Sequence, residues 1–197
     1  MPSPGSVAPR GSGHRLPVAL RRCRRVVAVT VHLPELLLSA SGLFQRLGVA
    51  GVPCDVLVAA EGDDSPRGTI AAALARLEVP GLLSHRLALP APFGPERADD
   101  LLAAMSELVG FDPEPGVFVL GPGVDGSAEQ SRRVVAEAAD RIATVYRLRR
   151  LYFTATSDVA QVDLELDGPE WTRKNAALDA VAAQVTPLSG GREFFGR

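Results

Sequence analysis

The feature that most constrains the fold is the order of three segments within residues 26–60. Two runs rich in β-branched residues, 26–31 and 54–60, flank a helix-like segment at 36–47. Strand, helix and strand in this order form a βαβ unit, which predicts neighbouring parallel strands. In such sheets the loop after a strand faces the ligand crevice. His32 lies in that loop, so we expect any chemistry to begin there.

The rest of the chain repeats the alternation of strands and helices. The predicted strands lie at 25–31, 54–60, 83–89, 117–120 and 149–155. The predicted helices lie at 36–48, 68–78, 96–109, 128–144 and 169–185. Residues 161–166 alternate apolar and polar side chains, which indicates an edge strand, and the tail 190–197 is predicted to be a loop. Together these elements predict an α/β protein with a three-layer Rossmann-like fold and a mainly parallel sheet.

Length and composition favour one domain. The chain has 197 residues, of which 46% are hydrophobic and 22% charged, as is ordinary for a globular protein. Residues 1–20 are expected to form a disordered arm, because the start of the chain is rich in Pro, Gly, Ser and Arg without periodicity. Residues 21–197 are expected to form the domain. We find neither a signal-like segment nor a membrane-spanning run and expect a cytoplasmic protein.

The net charge of the chain argues against large polyanionic binding partners. A net charge of −2 provides no overall basic field, so we expect neither nucleic acid nor a membrane as partner. An unknown small molecule, a protein partner or a second copy of the chain remains. Local arginine runs flank the predicted strands and are interpreted as a solvated collar. They are Arg21-Arg22, Arg24-Arg25, Arg147 and Arg149-Arg150.

Three stretches together resemble a known family. After the first strand comes His32-Leu33-Pro34-Glu35-Leu36, residues 127–130 read Ser-Ala-Glu-Gln, and residues 174–184 read Lys-Asn-Ala-Ala-Leu-Asp-Ala-Val-Ala-Ala-Gln. The chain from about 25 to 195 is similar to the LmbE-like (PIG-L) zinc-dependent de-N-acetylases. Those proteins carry His-Pro-Asp-Asp-Glu, His-Pro-Asp-His and Lys-x-x-Ala-Leu-x-x-His-x-Ser-Gln at the matching places.

The resemblance implies a zinc site with a general base, and its residues carry over poorly. His32 matches the first ligand and Glu35 falls at the Asp ligand. Pro34 occupies the general-base position and Gln130 the third ligand position, or Ala128 if the register slips by two. Proline offers no proton acceptor, and an amide is a poor zinc ligand. The family's C-terminal His and Ser become Val181 and Ala183.

Acidic residues after other strands are candidates for substrate binding. Glu61, Asp63 and Asp64 follow the second strand, and Asp125 and Glu129 follow the fourth. Such residues bind hydroxylated or cationic ligands in some proteins and form solvated turns in others.

Three functions follow from these observations. The first is a catalytically degenerate LmbE-like protein that keeps the scaffold as a ligand- or partner-binding module and needs no cofactor. The second is a zinc-dependent de-N-acetylase acting on an N-acetylated amino sugar or related metabolite. The third is another enzyme on the same scaffold that uses the acidic loops.

Overall fold

The computed structural model describes residues 16–61, 67–124, 128–154, 162–181 and 192–196. It confirms the α/β class. The strands are β1 (Arg25–Thr30), β2 (Cys54–Glu61), β3 (Leu82–Pro90), β4 (Val117–Pro122), β5 (Arg149–Thr154), β6 (Val162–Glu165) and β7 (Arg192–Gly196). The helices are α1 (Leu33–Val49), α2 (Arg67–Ala75), α3 (Ala98–Val109), α4 (Gln130–Val145) and α5 (Gly168–Val181).

The seven strands form one sheet in the order β3-β2-β1-β4-β5-β7-β6. Strands β1 to β5 are all parallel to one another, with Val26 beside both Cys54 of β2 and Phe118 of β4. Strand β1 is therefore central, which explains its nearly continuous apolar sequence, since side chains on both of its faces are buried.

Helices cover the two faces of the sheet and enclose two apolar cores. Helices α1, α2 and α5 pack on one face, where Phe44 and Phe118 are among the fully buried side chains. Helices α3 and α4 pack on the other face, around Val29, Met105 and Val135. The three predicted layers are thus confirmed.

The prediction of a loop at the end of the chain is wrong, because this segment forms a strand near the far edge of the sheet. The sequence predicts a loop for the tail, but Arg192–Gly196 is strand β7, antiparallel to both β5 and β6. The alternation at 161–166 does predict an edge strand, and β6 lies at that edge. The tail prediction is wrong because one of the inward-facing residues of β7 is Glu193, which breaks the apolar pattern expected of a buried strand.

The termini of the domain lie partly outside the described residues. Residues 1–15 and 182–191 are not described. Val18–Leu20 form one turn of 3₁₀ helix, and Leu20 is buried against the core. In the described part of the chain, no helix is both long and apolar enough to cross a membrane.

The order of the strands fixes the position of a crevice. The chain leaves β1 toward β2 and β3 on one side, and later returns to place β4 on the other side. The loops after β1 and β4 therefore diverge, and open sheets bind ligands at such a switch point, outside the carboxyl ends of the strands. The described segments at this point are residues 31–35, 123–124 and 128–132.

Candidate functional site

The motif after β1 forms the amino terminus of helix α1. His32 is the N-cap residue in extended conformation, and Pro34 lies in the first turn. Proline suits this turn because its missing N–H would have no partner there in any residue. Glu35 lies in the same turn, where the helix dipole favours a carboxylate. Helix geometry therefore accounts for Pro34 and Glu35 without any catalytic role.

Glu35 has two partners in the crevice. Arg132 places its Nη1 atom 2.6 Å from Glu35 Oε1, and the Thr30 hydroxyl donates to Glu35 Oε2 at 3.2 Å. Both members of the ion pair are mostly buried, with 29% of the Arg132 side chain and 21% of the Glu35 side chain exposed. Among the described residues, Oε1 accepts no well-directed hydrogen bond, so its contact with Arg132 is mainly one of charge.

Burial controls the protonation of this carboxyl group. It raises the pKa of Glu35 above its ordinary value. The charge of Arg132, the Thr30 hydroxyl and the charge of His32 oppose this rise, in that order, and the charge of Glu129 adds to it. His32 and Glu129 are therefore near enough to Glu35 to influence it.

Helix α4 brings Arg132 to the crevice. The guanidinium is fixed by its Nε atom, which donates to the carbonyl of Gly123 at the end of β4. Ser131 is fully buried and binds both the N–H and the C=O of Phe93, so it fastens the start of α4 to the segment after β3. Glu129 and Gln130, at the N-cap and first position of α4, are exposed.

The remaining candidates do not complete a site within the described residues. Asp63 and Asp125 lie outside those residues, and Glu61 ends β2 with a side chain that is also outside them. Val181 is half-buried and packs against the apolar core, so an apolar contact occupies the place of the family histidine. Ala183 lies outside the described residues.

His85 belongs to a separate cluster. Its Nε2 atom lies 2.9 Å from Asp55 Oδ1, and Asp55 also accepts two bonds from Arg25. These contacts join β1, β2 and β3, so the role of His85 is structural.

The donor set does not fit zinc. In the described part of the chain, no three His, Cys, Asp or Glu side chains come together as a metal group. A structural or catalytic zinc needs at least three such ligands. A cation bound at Glu35 Oε1 would also stand next to the Arg132 guanidinium, which already supplies positive charge there.

The structure places His32 and Glu129 near enough to Glu35 for their charges to act on it. Thr30, Ser131 and Arg132 are not among the candidate site residues predicted from the sequence. Metal ligands need a free lone pair, and a guanidinium has none, so a search for metal ligands passes over Arg132. A basic residue in the first turn of the helix after β4 is the available signal.

Comparison with known proteins identifies the architecture. Neither a protein-family model nor a curated protein matches the sequence. Among solved structures, the conserved protein TT1542 from Thermus thermophilus is 14% identical, with a TM-score of 0.66 over 87% of this chain and 93% of that one. The A40926 pseudoaglycone deacetylase Dbv21 is 17% identical, with a TM-score of 0.60 over 80% and 81%.

A third structure has the same fold and a different reaction. GalB, the 4-carboxy-2-hydroxymuconate hydratase from Pseudomonas putida KT2440, is 14% identical, with a TM-score of 0.60 over 82% of this chain and 80% of that one. Identities this low establish the fold alone. The chain has the Rossmann-like fold of the LmbE/PIG-L-type deacetylases.

Proposed function

We propose that this protein is a non-catalytic LmbE-like protein whose scaffold serves as a binding module for a small molecule or a protein partner. The observation that carries this proposal is the ion pair of Glu35 with Arg132 at the switch point. A carboxylate that would have to bind a metal is already neutralised by a side chain of the same protein.

The pair opposes metal binding electrostatically. A metal at about 2.1 Å from Glu35 Oε1 would lie roughly 4 Å from the guanidinium nitrogen. Two unit charges at that distance repel by about 4 kcal/mol at an effective dielectric constant of about 20, and a divalent ion by about twice that. The guanidinium would have to move away, which would break its bond to Gly123.

The proton-transfer machinery is also missing from the first motif. Pro34 holds the place of the family's general base and has no group that accepts a proton. Loss of a general base alone costs a factor of ~10²–10⁴ in rate. Loss of a metal ligand and of the base together leaves no route to an activated water molecule by this mechanism.

The crevice nevertheless keeps groups that can bind a polar ligand. His32 is half-buried and forms no side-chain hydrogen bond within the described residues, while Glu129 and Gln130 are exposed. Imidazole, carboxylate and amide groups are suited to hydroxyl and amide groups of a small ligand.

The alternative function is a zinc-dependent de-N-acetylase acting on an N-acetylated amino sugar or related metabolite. It is favoured by the similarity in fold to the A40926 pseudoaglycone deacetylase Dbv21. It requires a third ligand beside His32 and Glu35. The hydratase GalB, with the same fold, supports the wider point that fold does not determine the reaction.

Metal analysis and an activity assay separate the two functions. The purified protein is loaded with equimolar zinc, freed of unbound metal and analysed for zinc, and acetate release from N-acetylglucosamine is measured. We expect far less than about one zinc per chain and no acetate above the protein-free control. About one zinc per chain that is lost in both His32→Ala and Glu35→Ala, but kept in the control His85→Gln, together with acetate release, would establish the deacetylase instead.

A direct titration tests the binding function. N-acetylglucosamine is titrated into the protein by calorimetry, and His32→Ala and Gln130→Ala are compared with the original chain. Saturable binding that both variants weaken, without acetate release, is the expected result. Binding that neither variant alters would show that the crevice is not the binding site.

A further inference from the structure

A second concave region lies at the opposite end of the strands from the crevice. A cavity of about 910 Å³ opens at the amino ends of β1, β4 and β5, away from the crevice. Its size falls within the range of small-molecule sites. The polar residues that matter for its chemistry are Arg21, Arg22, Arg24, Arg147, Arg149 and Glu114.

The lining concentrates positive charge in a chain that is negative overall. Five arginines and one glutamate give the cavity a net charge of +4, whereas the whole chain carries −2. In the described part of the chain, Arg21, Arg22, Arg24 and Arg147 form no ion pair or side-chain hydrogen bond. These guanidinium groups are therefore available to a ligand without the loss of an internal contact.

Other members of the arginine collar do have partners. Arg25 is bound to Asp55 at 2.7 Å, and Arg150 is bound to Asp140 at 2.8 Å. The structure thus divides the collar into arginines that stabilise the fold and arginines that surround one cavity.

The backbone that carries the first three arginines is anchored. Cys23 N–H donates to Leu20 O at 2.9 Å, and Arg24 N–H donates to Gly116 O at 2.8 Å. Gly116 has a φ of 102°, and a Cβ there would lie 2.7 Å from the carbonyl oxygen of Arg22. Glycine at this position therefore lets the turn before β4 pack against the arginine segment and fix it.

Arg147 occupies a position that normally belongs to glycine. It follows α4 with a φ of 55°, and the turn is closed by Arg147 N–H to Thr144 O and by Leu148 N–H to Ala143 O at 2.8 Å. A left-handed conformation costs a residue with a Cβ about 1–2 kcal/mol, and glycine avoids that cost. Glycine would relieve this strain in the folded state, whereas arginine adds a positive charge to the cavity lining.

Arg149 is held from the side. Its guanidinium lies 5.6 Å from the centre of the Phe118 ring, a cation–π distance. Arginines attached to anchored backbone or resting on a ring lose less freedom on binding than free surface side chains.

We infer that this cavity binds a small ligand carrying two or more phosphate groups. Guanidinium groups bind phosphate oxygens in pairs of charge-assisted hydrogen bonds, and several of them around one concavity suit several phosphates. A long nucleic acid is disfavoured because the rest of the chain outside this lining carries net negative charge. The site is separate from the crevice and does not depend on whether the crevice is catalytic.

Calorimetric titration with inorganic tripolyphosphate at about 0.15 M salt tests the inference. The informative variant is Arg147→Gly, which removes one guanidinium and relieves the left-handed strain, so its thermal midpoint should be equal or higher. The matched control is Arg141→Gln, an exposed arginine on the same helix α4 outside the cavity. A nucleoside triphosphate and a single-stranded oligonucleotide are titrated in parallel.

Saturable one-to-one binding of tripolyphosphate is expected. Arg147→Gly should weaken it at least about tenfold, whereas Arg141→Gln should leave it within about twofold. Tighter binding of the nucleoside triphosphate would show that the organic part also contacts the cavity. The absence of saturable binding, or equal loss in both variants, would overturn the inference. An oligonucleotide that binds more tightly than either phosphate ligand would overturn it in favour of a nucleic-acid surface.

Discussion

Replacement of Lys174 by methionine should destabilise the protein severely. The Lys174 and Glu193 side chains are only 3% and 0% exposed, and Lys174 Nζ lies 3.0 Å from Glu193 Oε1. The same ammonium donates to the carbonyl oxygen of Leu38 in α1 at 2.5 Å. Methionine has a similar length and can fill the space, so the change removes mainly a charge and its hydrogen bonds.

The magnitude follows from what remains behind. Glu193 would still accept bonds from the Ser41 hydroxyl and from the N–H groups of Gly42 and Leu43. It would nevertheless be a buried carboxylate without a counter-ion, and removal of one partner of a buried pair costs about 3–5 kcal/mol. The total stability of a domain is about 5–15 kcal/mol, so the loss would be a large fraction of it.

Urea unfolding at pH 7, followed by circular dichroism, measures the effect. Arg97→Met is the control, since the Arg97–Asp100 pair is 44% and 49% exposed and should contribute less than about 1 kcal/mol. The double variant with Glu193→Gln should be less destabilised than the sum of its two single variants, by about 0.5–3 kcal/mol. A loss in Lys174→Met no larger than in the control, or strict additivity in the double variant, would refute the reasoning.

Three further predictions concern the crevice, the thiols and helix α1. Arg132→Met should raise the affinity for zinc at least about tenfold by removing the neighbouring cation, as measured by competition with a chromophoric chelator, and unchanged affinity would contradict the electrostatic argument. Burial raises the pKa of Cys23 to about 11 and of Cys54 to about 12. Both thiols should therefore resist alkylation in the native protein at pH 8, and unfolding should become easier as the pH rises from about 9 toward 12, because the native state then holds more protons. Gly42→Ala should destabilise by about 1 kcal/mol in urea instead of gaining helix propensity, because its Cβ would overlap a terminal methyl group of Leu166 and lie 3.1 Å from the buried Glu193 Oε2; a rise in midpoint would contradict this.

The central βαβ unit could be predicted from sequence because its pattern is local. The strands at 25–31 and 54–60 are apolar on both faces, and this leaves few alternatives to a buried parallel strand. The observed strands begin at Arg25 and Cys54, in agreement with the prediction. Helix α1 begins three residues earlier than predicted. The prediction assigns Pro34 to the loop after β1, whereas proline is also well suited to the first turn of a helix.

The missed features depend on contacts between distant positions. Arg132 and Glu35 are 97 positions apart, so no spacing rule connects them. Glu193 is separated by 152 positions from its partner Ser41. A pattern of alternating polarity cannot show that a glutamate is buried, since burial of a charge is possible only when the rest of the fold supplies its partners.

The two ends of the sheet differ in whether their charged groups are already satisfied. In the crevice, Arg132 and Glu35 neutralise each other, and a ligand that binds either one must first compete with the other. In the cavity at the amino ends of the strands, Arg21, Arg22 and Arg147 have no internal partner within the described residues. A charged ligand gains more free energy from unpaired groups than from groups whose pairing it must disrupt. If the chain is a binding module, its strongest ligand should therefore be an anion at the arginine cavity, and the crevice should bind neutral polar molecules more weakly.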